Sequence, residues 1–153
     1  MKLKRLKNLL FLHLARLPMR GMMRAKLLKI GGVAINDPSD NIFIGEHVLF
    51  DTNHPELISI DRGVWITNGC VILSHFLETS AGEEGDRYKH RFRLGNVRIK
   101  ENAFIGCNTV ICNAVTIGKN AIVGASSVVT KDIPDNEVWA GNPAKFIKKR
   151  QFM

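Results

Sequence analysis

The sequence predicts an all-β fold, a parallel β-helix, and three observations carry that prediction. Ile99, Ile105, Ile111, Ile117, Val123 and Val129 recur at a strict six-residue interval. Two positions before each stands a small or β-branched residue: Val97, Ala103, Thr109, Val115, Ala121 and Ser127. Glycine follows the large aliphatic at positions 106, 118 and 124. Neither a helical period of 3.6 nor simple strand alternation accounts for six such repeats held in phase. Period six is the mark of a parallel β-helix in which each hexapeptide is one short strand and a turn, three of them closing a triangular coil. The aliphatic column then points into the prism, and Gly or Asn supplies the positive φ of the sharp corners. A chain of 153 residues holds one such domain, of about four to five coils, with a terminal appendage.

Taken in order, Met1 to about Leu17 reads as an amphipathic helix, with Leu3, Leu6, Leu10, Leu14 and Leu17 at i, i+3, i+4 spacing and Lys or Arg on the other face. Pro18 and Gly21 break it, and Met22–Lys29 forms a second short helical turn. The formal charge of +8 is concentrated here. Residues 1–29 carry nine Lys and Arg and no acid, so the remainder of the chain nets −1. No nucleic-acid motif accompanies this arm. Two fates are open to it: packing on the β-helix with the basic face to water, or docking on an anionic membrane surface. It is a poor signal peptide, because His13 and Arg16 interrupt the apolar stretch and no small-residue cleavage site follows. No run reaches the length of a membrane span. The three cysteines, Cys70, Cys107 and Cys112, fit no zinc or CxxC spacing and read as free thiols in a reducing cytoplasm.

Repeats begin near Val33. Ile44, Phe50, Ile60, Ile66 and Ile72 continue the aliphatic column, with about four residues looped out around His54–Leu57 and a longer polar excursion at residues 76–96. Long loops in a regular solenoid usually carry function. The domain plan is therefore a basic helical arm over 1–30 and a β-helix over 31–153. Its C-terminal cap spans 133–153, where Ala144–Arg150 is expected to form a short basic helix over the last coil.

His75 ends a coil at the mouth of the excursion. It is either a surface histidine at a strand end or a general base, for which imidazole is suited near neutrality. Asp51, Asn53 and His54 form a polar cluster in the preceding coil. Allowing for the four-residue bulge, Asn53 lies one coil below His75, with Asp51 a near neighbour. These residues either shape a turn or orient a substrate hydroxyl. Zinc catalysis is poorly supported, since the close His pair of β-helical carbonic anhydrases is missing, and no GxSxG elbow points to a serine hydrolase.

The run VTIGKNAIVGASSVVTKDIPDNEVWAGNPAKFIKK resembles the C-terminal half of the hexapeptide-repeat acyltransferases, among them galactoside and maltose acetyltransferases and the sugar O-acetyltransferases of capsule and O-antigen synthesis. The likeness covers about residues 40–150. It implies a left-handed β-helix, a homotrimer with active sites between subunits, acetyl-CoA as donor, no metal, and a saccharide hydroxyl as acceptor. By the same resemblance His75 matches the catalytic base, and Asp51 and Asn53 match the acceptor-contacting strand. The backbone amide of Cys107, after Gly106, matches the oxyanion donor. Ala125, Thr130 and Lys131 match the groove along pantetheine, and Lys145 and Lys148 match basic residues near the CoA phosphates. Phe104 and Trp139 either pack against cofactor or acyl group or serve as edge packing. Leu73-Ser74 replaces the usual Thr-Gly before the histidine, and the long loop matches no known acceptor pattern, so the acceptor is left open. The expected function is acetyl-CoA-dependent O-acetylation of a saccharide in surface polysaccharide synthesis, in the cytoplasm or at the inner membrane face. N-acetylation of an amino sugar and a catalytically silent trimeric scaffold are the alternatives.

Overall fold

The computed structural model describes residues 2–77, 92–112 and 114–151. Its body is a three-sided solenoid of parallel two- and three-residue strands. The first face stacks Ala34–Ile35, Ile58–Ile60, Val97–Ile99 and Thr116–Ile117; the third stacks Leu49–Phe50, Val71–Ile72, Val110–Ile111 and Val128–Val129. The second face is longer. It runs from Phe43–Ile44 through Trp65–Ile66, Phe104–Ile105 and Ile122–Val123 to Glu137–Ala140, and ends on Lys145–Lys149. The chain visits the three faces in rotation, as a six-residue repeat requires.

The register places the large aliphatics directly above one another. Ile44, Ile66, Ile105 and Val123 form one inner column and Phe50, Ile72, Ile111 and Val129 another. Ile66, Ile105, Ile111 and Val123 are fully buried. The second sequence column is buried too, and its two hydroxyls are satisfied within the core: Thr109 Oγ1 and Ser127 Oγ both donate to the Gly124 carbonyl, at 3.2 and 2.7 Å. Cys70 takes a place in this small-residue column, where burial pushes its thiol pKa up.

The corners correct one expectation. The left-handed backbone is supplied mostly by asparagine. Asn41, Gly63, Asn102, Asn120 and Asn136 line one edge, and His47, Gly69, Asn108 and Ser126 line the next. Gly106, Gly118 and Gly124 have no positive φ. They are glycine because successive coils approach there without room for a side chain: a Cβ on Gly106 would lie 2.4 Å from the Ala125 nitrogen, and one on Gly118 2.4 Å from the Asp135 nitrogen.

Both ends of the solenoid are covered. At the N-terminal end α1 (Lys2–Leu14) and α2 (Gly21–Ile30) pack through Leu12, Ala15, Ala25 and Leu28. Of the two fates open to the leucine stripe of α1, packing on the β-helix is not the one seen for Leu3, Leu6 and Leu10, which turn outward at 82, 65 and 55% exposure. Buried Arg24 pins α2 to the first coil by donating to the carbonyls of Ile44 (3.2 Å) and Leu17 (3.4 Å) and pairing with Glu46. At the C-terminal end the expected capping helix is a strand. Lys145–Lys149 runs antiparallel along Glu137–Ala140 after a turn at Gly141–Pro143. The physical reason is the exposed sheet edge: Glu137–Ala140 would otherwise present unpaired backbone groups, which a helix cannot satisfy and a strand can.

The described ends of the excursion are paired with each other. His75–Leu77 and Phe92–Leu94 pair as an antiparallel ribbon, with His75 opposite Leu94. The remainder of the expected 76–96 loop, residues 78–91, lies outside the described residues.

Candidate active site

His75 is fixed from below by Asp51. The third face ends its first two strands in register, Phe50 beneath Ile72, so the residues that follow them turn the same corner one above the other. Asp51 is buried there, and its carboxylate gathers four donors. Oδ1 accepts the Asn53 amide at 2.9 Å; Oδ2 accepts the Ser74 amide at 3.1 Å, the Ser74 hydroxyl at 2.6 Å, and His75 Nδ1–H. Burial acts to raise the carboxyl pKa, but the hydrogen bonds from Ser74, His75 and Asn53 outweigh it and hold the pKa at about 2. Asp51 is therefore an ionised acceptor near neutrality. The proton it shares with His75 belongs to Nδ1, and Nε2 of the neutral ring carries the lone pair. The ring is held from the side by Phe92, edge-on with centroids 5.3 Å apart.

His75 opens onto a cleft of about 670 Å³. One wall is the bulge after the first coil, Thr52–Glu56, where His54 lies 3.3 Å from Glu56. Phe92 and Leu94 of the ribbon form a second wall, and Lys4, Arg5 and Asn8 of α1 form a third. Asn53 lies between them, its Oδ1 3.5 Å from an Arg5 guanidinium nitrogen.

The structure thus brings His75, Asp51 and Asn53 together, with Asp51 behind the histidine and Asn53 in the cleft. It divides the residues matched to the donor between two edges. Gly106, Cys107 and Ala125 belong to the edge between the second and third faces. Among the described residues, the Gly106 and Asn108 amides are taken by the carbonyls of Val123 and Asn68, whereas the Cys107 amide meets no acceptor. Thr130 and Lys131 lie on the edge of His75, two strands farther along, roughly 10 Å by the usual strand spacing. Phe104 faces outward on the second face at 37% exposure. Trp139 continues the inner column above Val123, is 9% exposed, and lies under the Lys131 ammonium, 5.4 Å from its ring centre. Lys145 and Lys148 are exposed on the terminal strand. Sequence reasoning passed over Ser74 as a partner of Asp51. It also passed over Lys4, Arg5 and Asn8; the segregated charge of the arm was visible, but not where that charge would be delivered.

A solenoid of stacked six-residue units, with a histidine and a buried carboxylate at one edge, defines the class to which this chain is compared. The family described as bacterial transferase hexapeptide (six repeats) matches residues 96–131, about a quarter of the chain. A galactoside O-acetyltransferase of Lactococcus lactis is 34% identical over 109 residues, covering 71% of this chain and 44% of that protein. The chain spans about half the length of the curated relatives it matches, 44 to 58% for three of them. Among solved structures, a hexapeptide-repeat acetyltransferase from Vibrio cholerae complexed with acetyl coenzyme A superposes with a TM-score of 0.71 at 17% identity, covering 99% of this chain and 89% of that one. An N-acyltransferase from Bacillus cereus in complex with dTDP and 3-hydroxybutyryl-CoA gives 0.63 at 23% identity, covering 72% and 60%.

Proposed function

We propose that the chain is an acetyl-CoA-dependent O-acetyltransferase that acylates a saccharide hydroxyl, with His75 as general base. The observation that carries this reading is the tautomer argument: a buried, ionised Asp51 holds the Nδ1 proton and leaves Nε2 free to accept one, in a ring that borders the cleft. In the reaction Nε2 takes the proton of the acceptor hydroxyl as its oxygen attacks the thioester carbonyl. The tetrahedral oxyanion is met by the Cys107 amide. The C–S bond then breaks, and CoA thiolate leaves with the proton returned by the imidazolium. Asp51 stabilises that imidazolium and does not itself touch substrate; Asn53 faces the acceptor. Lys145 and Lys148 hold the CoA phosphates by charge attraction, and Ala125, Thr130 and Lys131 lie along pantetheine. The family and the curated relatives support the activity and the donor.

We read the solenoid as left-handed, as the family match over residues 96–131 implies, and the assembly as a trimer. Two features support self-association. The outward column of the third face is entirely aliphatic (Leu49, Val71, Val110, Val128) and that of the second is aromatic and aliphatic, whereas that of the first reads Ala34, Ser59, Arg98, Thr116. In addition, His75 and Cys107 lie on different edges of one protomer, so a second copy must supply the oxyanion amide. Among the described residues no helix is long and apolar enough to cross a membrane. The outward Leu3, Leu6 and Leu10 beside Lys4 and Lys7 favour a peripheral contact of α1 with an anionic bilayer. A role in surface polysaccharide synthesis rests on the likeness of the repeat ending and tail to capsule and O-antigen enzymes.

The second reading is N-acylation of an amino sugar, favoured by the fold of the Bacillus cereus N-acyltransferase. Incubation with acetyl-CoA and a panel of galactosides, maltose and amino sugars separates the two. The account expects CoA thiol release with a hydroxyl acceptor and a product acetyl group labile to mild base. A base-stable amide product would replace it with the second reading, and failure to bind acetyl-CoA would remove both.

A further inference from the structure

We propose that Lys4 and Arg5 make the His75 cleft a site for an anionic acceptor, one that carries a phosphate or carboxylate beside the hydroxyl to be acylated. This rests on the acyl-transfer reading and narrows its substrate class. The argument begins with a helix that works against itself. The first turn of α1 holds Lys4 and Arg5 and no acid. Cations there oppose the positive end of the helix dipole, so helix stability does not explain them. Tertiary structure does place them. The end of α1 is buried through Leu12 and Ala15, with Leu12 against Gly31 at the end of α2, Asn8 lies close to the Gly32 backbone, and the first turn lines the cleft. Lys4, Arg5 and His75 line the same cavity.

Among the described residues, the opposing charges in that cavity are few. Asp51 is buried beneath His75 and fully engaged by its four donors. Glu56, the acid on the wall, is partnered by His54. Among the described residues, Arg5 has one neutral partner, Asn53, at the 3.5 Å limit of a hydrogen bond, and it is exposed. Among the described residues, the two cations therefore face a cleft whose acids are buried beneath His75 or hydrogen-bonded to His54, an arrangement that attracts an anionic ligand and raises its encounter rate. The anion is not assigned to the donor, because Lys145 and Lys148, matched to the CoA phosphates, stand on the terminal strand at the other end of the solenoid. The third face alone puts three strand spacings, about 14 Å, between its first and last strands.

The test is equilibrium binding to the full chain of galactose 1-phosphate, galacturonic acid and methyl galactoside, with acetyl-CoA titrated in the same series. It compares native protein with the Lys4→Gln/Arg5→Gln double variant. The native chain is expected to bind one anionic sugar about tenfold more tightly than methyl galactoside. That preference should fall about fivefold or more in the double variant, return in Lys4→Arg/Arg5→Lys, and shrink at high salt. The arm that responds tells phosphate from carboxylate. Equal binding of neutral and anionic sugars, no binding of either anionic sugar, or a preference unchanged in the variant would each overturn the proposal. So would a variant whose loss falls on acetyl-CoA instead. Absence of acetyl-CoA binding by the native chain is a separate result, and it strikes the acyl-transfer reading itself.

Discussion

Replacing Asp51 by Asn removes one charge and little volume, and its consequences follow from the four donors the carboxylate holds. An amide has one oxygen. If it faces Ser74 and His75, the NH2 meets the Asn53 N–H; if it faces Asn53, the NH2 meets three donors. The first arrangement is the better one, and it still leaves a buried donor unsatisfied, at about 1–3 kcal/mol. In a chain of this length that lowers the melting midpoint by about 2–4 °C per kcal/mol. The kinetic effect is distinct. A charge-assisted bond to the imidazolium, about 1.5–3 kcal/mol, becomes a neutral one roughly half as strong. The imidazolium that forms in the transition state loses about 0.8–1.5 kcal/mol of stabilisation, so turnover falls about 4- to 13-fold. The assay is thiol release from acetyl-CoA with an acceptor that supports turnover, well below the midpoint of the variant. The KM for acetyl-CoA should not change, because Asp51 is buried under His75 and three strands from Thr130 and Lys131 on the same edge. Ser74→Ala is the control. It removes a neutral hydroxyl from the same carboxylate, costs about 1 kcal/mol of stability, and keeps turnover within about threefold, since Asp51 still holds His75. Native turnover in Asp51→Asn, or an equal loss in both variants, would refute the reasoning.

Three other outcomes are expected. Stability contributed by Asp51 is fully present above pH 4 and is lost as pH falls toward its folded value of about 2, so native protein should lose about 2 kcal/mol more than Asp51→Asn between those limits in urea unfolding; parallel curves would exclude it. Gly106→Ala drives a Cβ against the Ala125 backbone and should cost more than about 2 kcal/mol, read as a fall in the thermal midpoint, whereas an unchanged midpoint would show that the coils can separate there at no cost. Leu3, Leu6 and Leu10 changed together to Ser should abolish co-sedimentation with phosphatidylglycerol vesicles while leaving the fold intact, because all three point to solvent; unchanged partition would remove the bilayer contact.

The solenoid was legible because its signal is repeated. Six aliphatics in phase specify a strand stack more firmly than any single motif, and the 22-residue offset across the His54–Leu57 bulge was enough to bring Asn53 and Asp51 under His75. What escaped depends on partners far away in sequence. Ala144–Arg150 has helix-forming residues, and only the bare edge of Glu137–Ala140 turns it into a strand. The leucine stripe of α1 announces an apolar face without saying what covers it, and Leu12 and Ala15, off that stripe, proved to be the packing residues. The corner glycines were recognised as necessary but for the wrong reason: the pattern records that a side chain is forbidden, and both positive φ and close approach forbid one. Lys4 and Arg5 could be counted as charge, yet their delivery to the cleft is a product of how α1 docks.

The central claim is that His75 Nε2 is the base. The measurement that tests it most directly is acetyl-CoA turnover by His75→Ala, with acetyl-CoA binding titrated on the same preparation. The account predicts a kcat lower by about two to four orders of magnitude with the donor bound as tightly as by the native chain. Turnover within tenfold of native, with binding intact, would contradict it.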